Sequence, residues 1–125
     1  MARNILGVIA GLAVWIAIAG VAGLAMRSGW PEYARVADAM TFSLPMMFAR
    51  LAIGASATLG AGWVAAVVAR RAMLASVTAG LLLVLVFVPQ HLMLWTRFPI
   101  WYHLTFLVSL VPLAYLGGQM SAPSK

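Results

Sequence analysis

Ile5 to Met26 contains no charged side chain, and three more runs of the same character follow it along the chain. Nothing else in the sequence constrains the fold as strongly. A hydrocarbon layer about 30 Å thick is crossed by roughly 20 helical residues, and inside it every backbone N–H and C=O must find a partner within the protein. Apolar runs of this length are therefore transmembrane helices. The whole chain agrees: of 125 residues, 65% are hydrophobic and 8% charged, with a mean hydropathy of +1.04. A chain of this composition could not cover its own core in water. Its length allows at most about four or five crossings and leaves no room for a separate soluble domain. We expect an all-α membrane protein, a single four-transmembrane-helix bundle with crossings at about residues 5–26, 46–69, 72–94 and 99–117.

The breaks between the runs carry the turn chemistry. The first run exceeds the h-region of a signal peptide, so it reads as an uncleaved helix even though Ala17-Ile18-Ala19 resembles a cleavage site. After it, Ser28-Gly29-Trp30-Pro31-Glu32 has the proline and first-turn acid of a helix start. Trp30, Tyr33, Ala37 and Met40 then recur at helical spacing opposite Glu32, Arg35 and Asp38. This predicts a short amphipathic interfacial helix over about 31–41, between the first and second crossings. Arg70-Arg71 ends the second crossing so abruptly that the third must return as a hairpin. Pro89 disfavours helix at Val88 but leaves an extension to Leu94 open, Pro99 sits at the start of the fourth crossing, Pro112 predicts a kink, and Gly117-Gly118 predicts the final helix stop.

Small residues mark where helices can approach. Lipid tails compete equally for leucine surfaces, so association in a bilayer depends on close backbone contact. Gly7 and Gly11 form such a pair in the first helix. Ala52, Ser56 and Gly60 form a stripe in the second, which we expect to be the most buried helix, with Leu81 to Val88 facing lipid.

Polar chemistry concentrates at one membrane face. Arg50, His91, Arg97 and His103 fall there, with Glu32 and Asp38 as the only acids in the chain. An arginine near mid-bilayer costs at least about 2.5 kcal/mol on insertion scales, so Arg50 should pair with Glu32 or Asp38, or reach lipid phosphate or a backbone carbonyl. Two histidines could serve as haem ligands, but beside Trp95, Trp101 and Tyr102 they read as an interfacial aromatic belt. A two-histidine metal site is also conceivable and would need a third ligand, for which Glu32 and Asp38 lie on the same face, but no metal and no cofactor is expected. The absence of cysteine removes disulfides and thiolate chemistry.

The net charge of +6 would point to nucleic acid in a soluble protein. Here the basic residues flank apolar runs and act as topology signals and phosphate contacts, so the lipid bilayer and not nucleic acid is the expected partner. Four crossings put Arg3, Arg70, Arg71 and Lys125 on one face and Arg27, Arg35, Arg50 and Arg97 on the other. The compact Arg70-Arg71 turn and Arg3 favour cytoplasmic termini.

Thr58 to Arg71 (TLGAGWVAAVVARR), Arg3 to Gly11 (RNILGVIAG) and Pro112 to Gly118 (PLAYLGG) resemble small, uncharacterised bacterial four-helix inner-membrane proteins. The resemblance implies the fold and a multi-pass bacterial inner-membrane location, and no activity. The crossings hold no Asp, Glu or Lys, which argues against small multidrug exporters with their membrane-embedded glutamate. Asn4 is the only asparagine, so the fluoride channels' asparagine in a Gly-rich second helix has no counterpart. No nucleotide-binding or hydrolase motif is present. The expected function is non-enzymatic: a structural or accessory membrane protein, as a homo-oligomer or within a larger membrane complex. An oligomeric small-solute or anion channel, with Arg50, Arg97 and the histidines as its mouth, is the alternative, and a haem- or quinone-binding subunit a third reading.

Overall fold

The structure, a computed structural model, describes residues 2–121; Lys125, placed above on the terminal face, lies outside them. Five helices follow in order: α1 (Ala2–Gly29), α2 (Pro31–Val36), α3 (Leu44–Val68), α4 (Ala72–Met93) and α5 (Ile100–Ser121). All but α2 are long and apolar enough to cross a membrane, and no strand occurs among the described residues. The protein is an all-α bundle of four membrane-spanning helices.

The helices form a ring in the order α1, α3, α5, α4, with α3 making its most extensive contacts with α1 and α5. Consecutive crossings alternate in direction, so α3 runs antiparallel to α1 and parallel to α5. The hairpin partners α3 and α4 meet across the short diagonal of this ring. Chain proximity has not decided the packing; small residues have. A Cβ added at Gly7 would lie 2.6 Å from the Ala65 carbonyl oxygen, and one at Gly11 would lie 2.6 Å from that of Ala61. Between α3 and α5 the approach is closer still, since a Cβ at Gly62 would overlap the Ala114 backbone and one at Gly117 the Leu59 backbone. Ser76 of α4 donates its hydroxyl to the Gly62 carbonyl at 2.8 Å. The terminal face is fastened by Arg3, whose Nε donates to the Val68 carbonyl at 3.2 Å, and by Asn4, whose Oδ1 accepts the Arg71 backbone N–H at 3.0 Å.

Several details depart from the sequence reading. Ala52 and Ser56 face outward, and a Cβ at Gly60 would meet only the tips of Ile18 and Val14. The interior face of α3 is instead Gly54, Ala57, Thr58, Ala61, Gly62 and Ala65. Both faces are small, so residue size alone could not choose between them. Leu83, expected to face lipid, is buried with Phe106 and Leu110. It continues the Ser76, Ala79, Gly80 face of α4 at helical spacing. Gly117 and Gly118 do not stop α5, which runs on to Ser121 because both glycines sit inside the helix at close contacts. The interfacial helix ends early: α2 stops at Val36, and Met40, at φ 58°, takes the left-handed conformation that turns the chain toward α3.

Candidate functional site

At the end of the bundle away from the termini the helices separate. A Cβ at Gly23 would meet nothing within 4 Å, and Gly23 lines a cavity of about 220 Å³. Trp15 of α1, Arg50 of α3, Phe87 and His91 of α4, and Tyr102 and Phe106 of α5 form its walls, with Tyr33 of α2 at its rim. Leu83, Phe106 and Leu110, packed with Trp15 and Leu51, close it below. Trp15 is held by its indole N–H, which donates to Thr58 Oγ1 at 3.0 Å.

Arg50 lies six residues beyond Leu44, about 9 Å along the α3 axis at 1.5 Å per residue. Among the described residues it forms no carboxylate pair. Its Nε–H donates to the Tyr102 hydroxyl at 3.2 Å and its Nη1–H to the Tyr33 hydroxyl at 2.9 Å. Phe42 lies 4.6 Å from the guanidinium carbon and Phe98 5.8 Å. Phenol oxygens and aromatic faces solvate a cation, but they carry no compensating charge. A guanidinium has five N–H donors, and among the described residues only two of Arg50's find acceptors.

Neither acid approaches. Asp38 instead binds Arg27 at 3.3 Å on the surface, with its side chain 92% exposed, and Glu32 is also exposed. The expected Arg50–carboxylate pair is therefore replaced by two tyrosines, because α2 turns Tyr33 inward and leaves Glu32, and Asp38 beyond its end, in solvent. Arg97 does not reach the cavity either. Its Nη1 donates to the Ala39 carbonyl at 2.8 Å and ties the α4–α5 turn to the segment after α2.

The histidines do not form a surface belt. His103 is fully buried and His91 is 8% exposed. Their Nδ1 atoms lie 2.7 Å apart, and His103 Nε2 lies 3.2 Å from the Trp95 carbonyl oxygen. Trp95 stacks on His103 with ring centroids 4.7 Å apart. Axial haem ligands would both aim at an iron between them, whereas these rings share a hydrogen bond through Nδ1 and His103 Nε2 faces the Trp95 carbonyl. Among the described residues no group of three or more His, Cys, Asp or Glu is placed to hold a metal.

Of the six polar residues singled out from sequence, Arg50 and His91 line the cavity, His103 stands behind His91, and Arg97, Glu32 and Asp38 stay outside. Tyr33, Phe42, Phe98 and Tyr102 were missed as the surroundings of Arg50. Their sequence signal was present, since each is an aromatic residue within or beside a break between apolar runs. Comparison with known proteins finds no matching family model, no matching curated protein and no matching solved structure.

Proposed function

We propose that this protein is a non-enzymatic, multi-pass protein of the bacterial inner membrane, with cytoplasmic termini, that binds an anionic amphiphile in the cavity at Arg50. The observation that carries this reading is the guanidinium held about 9 Å inside the helix end with two phenols and no carboxylate around it. A charge in that setting is costly unless paired, and an oxyanion entering the cavity would accept the free N–H groups and neutralise the cation. Guanidinium geometry suits both carboxylate and phosphate oxygens. The aromatic walls and the lipid outside supply the apolar half of the match. Because the helices are in backbone contact below the cavity, a single chain is built to hold a ligand more than to conduct one.

The test uses the full chain in a neutral detergent, with dodecyl phosphate as probe and inorganic phosphate and dodecanol as controls. Dodecyl phosphate is expected to raise the melting temperature more than either control, and Arg50→Gln to remove that increment while keeping the helical circular dichroism. An equal response in wild type and Arg50→Gln would overturn the reading.

The outward-facing Ala52 and Ser56 favour a second reading, in which the protein associates with itself or a larger membrane complex. Since the chain lacks cysteine, Ser56→Cys gives a single cross-linking site. A dimer formed in native membranes by Ser56→Cys but not by Leu85→Cys would support association through α3. Equal cross-linking from both positions would count against it.

A further inference from the structure

The hydrogen bonds of the histidine pair fix what His91 shows to the cavity. A carbonyl oxygen only accepts, so His103 Nε2, 3.2 Å from the Trp95 carbonyl, carries a proton. In the uncharged pair, His103 Nδ1 is then an acceptor, and His91 Nδ1, 2.7 Å away, must donate to it. The protons are assigned here from the hydrogen-bond network. The remaining nitrogen, His91 Nε2, is left with a lone pair and no proton.

His91 lines the cavity, is 8% exposed, and its Nε2 makes no hydrogen bond among the described residues. Arg50, on the same cavity, has donors only. The two side chains therefore ask for opposite things. We infer that the cavity recognises an oxyanion that also bears a hydroxyl group, such as a phosphoglycerol headgroup, with the oxyanion on Arg50 and the hydroxyl donating to His91 Nε2. This inference rests on the anion-binding reading and goes further by assigning His91 the selective role, with His103 as a positioning residue that sets its tautomer. An anionic headgroup without a hydroxyl would satisfy Arg50 and strand a buried acceptor. A neutral hydroxylated headgroup would satisfy His91 and leave the cation unpaired.

Two monoanionic phosphodiesters test this on the full chain in detergent: dodecyl phosphoglycerol, and dodecyl methyl phosphate, which lacks the hydroxyls. Wild type is expected to bind the phosphoglycerol diester about tenfold more tightly, the scale of one buried hydrogen bond. His91→Phe keeps a ring against Tyr102 and Phe106 and should make the two affinities equal, whereas Arg50→Gln should weaken both. Glycerol 3-phosphate, added as a soluble arm, separates the sources: binding that matches the phosphoglycerol diester assigns a soluble ligand of the same chemistry, and much weaker binding assigns a lipid headgroup. Equal affinity of wild type for the two diesters overturns this inference and leaves the anion reading standing. Binding of neither overturns both. The wild-type comparison needs no variant to fold.

Discussion

The half of the bundle beside the termini and the half beside α2 are cut from the same four helices, yet they solve opposite problems. Near the termini, Gly7, Gly11, Gly62 and Gly117 remove side chains so that backbones touch. Near α2 the helices carry Trp15, Arg50, Phe87, His91 and Tyr102, whose bulk holds them apart around a cavity. In a bilayer the first arrangement gains dispersion contacts that lipid cannot match. The second gives some of that up in order to keep polar atoms bonded inside the membrane. Among the described residues every fully enclosed side-chain N or O atom has a partner; the groups left free, on Arg50 and His91, open to the cavity. The difference teaches that close packing and a ligand-sized space can share one short bundle if each is confined to its own end.

Breaking the closed half should have the largest effect. Gly62→Leu would place a side chain in the Ala114 backbone, which cannot swing away, while Gly60→Leu would meet the movable tips of Ile18 and Val14. Overpacking typically costs about 1–3 kcal/mol; Gly62→Leu is expected at or above the upper end and Gly60→Leu at the lower end, measured by unfolding in detergent. Equal losses would show that the distinction between backbone and side-chain contact does not govern this end. The boundary between the halves comes next. Leu83→Ala, under the cavity, should cost about 2 kcal/mol, the low end of the leucine-to-alanine range, because lipid rather than water takes the freed surface and the packing term remains. Leu85→Ala, 69% exposed, should be close to neutral in the same measurement. If the two lose equal stability, the floor of the cavity has been placed on the wrong face of α4. The smallest effect is expected on the rim, where Asp38→Asn removes the exposed pair with Arg27. Such pairs contribute about 0–1 kcal/mol and are screened by salt, so the unfolding midpoint should move little and the cavity ligand should bind as before. A large loss of binding would mean that Asp38 orders the cavity through α2.

The bundle itself was legible because charge-free runs of membrane length leave one kind of fold available. Gly7 and Gly11 could be read as a close-packing pair, but the partner could not, since every crossing contains small residues. The choice of Ala52, Ser56 and Gly60 over Gly54, Ala57 and Ala61 failed for that reason: both faces have the right spacing, and the sequence holds no sign of which one meets α5. Arg50 could be recognised as needing company. Its company was misjudged because opposite charge is the strongest partner for a guanidinium, whereas the short α2, with Tyr33 inward and Glu32 outward, delivers a phenol. The histidine pair was hidden by distance along the chain, His91 near the end of one helix and His103 in the first turn of the next. Only the tight turn between them brings their Nδ1 atoms together.

The close contact between α3 and α5 also bears on how the protein is made. A ribosome delivers α1, α3 and α4 to the membrane before α5, so α3 can settle against α1 early while its other small face, around Gly62, must wait. Until α5 arrives, that face has only lipid and the Ser76 hydroxyl of α4 to meet. Assembly of these four crossings is thus completed by α5. A chain arrested before α5 would leave the notched face of α3 open to the bilayer.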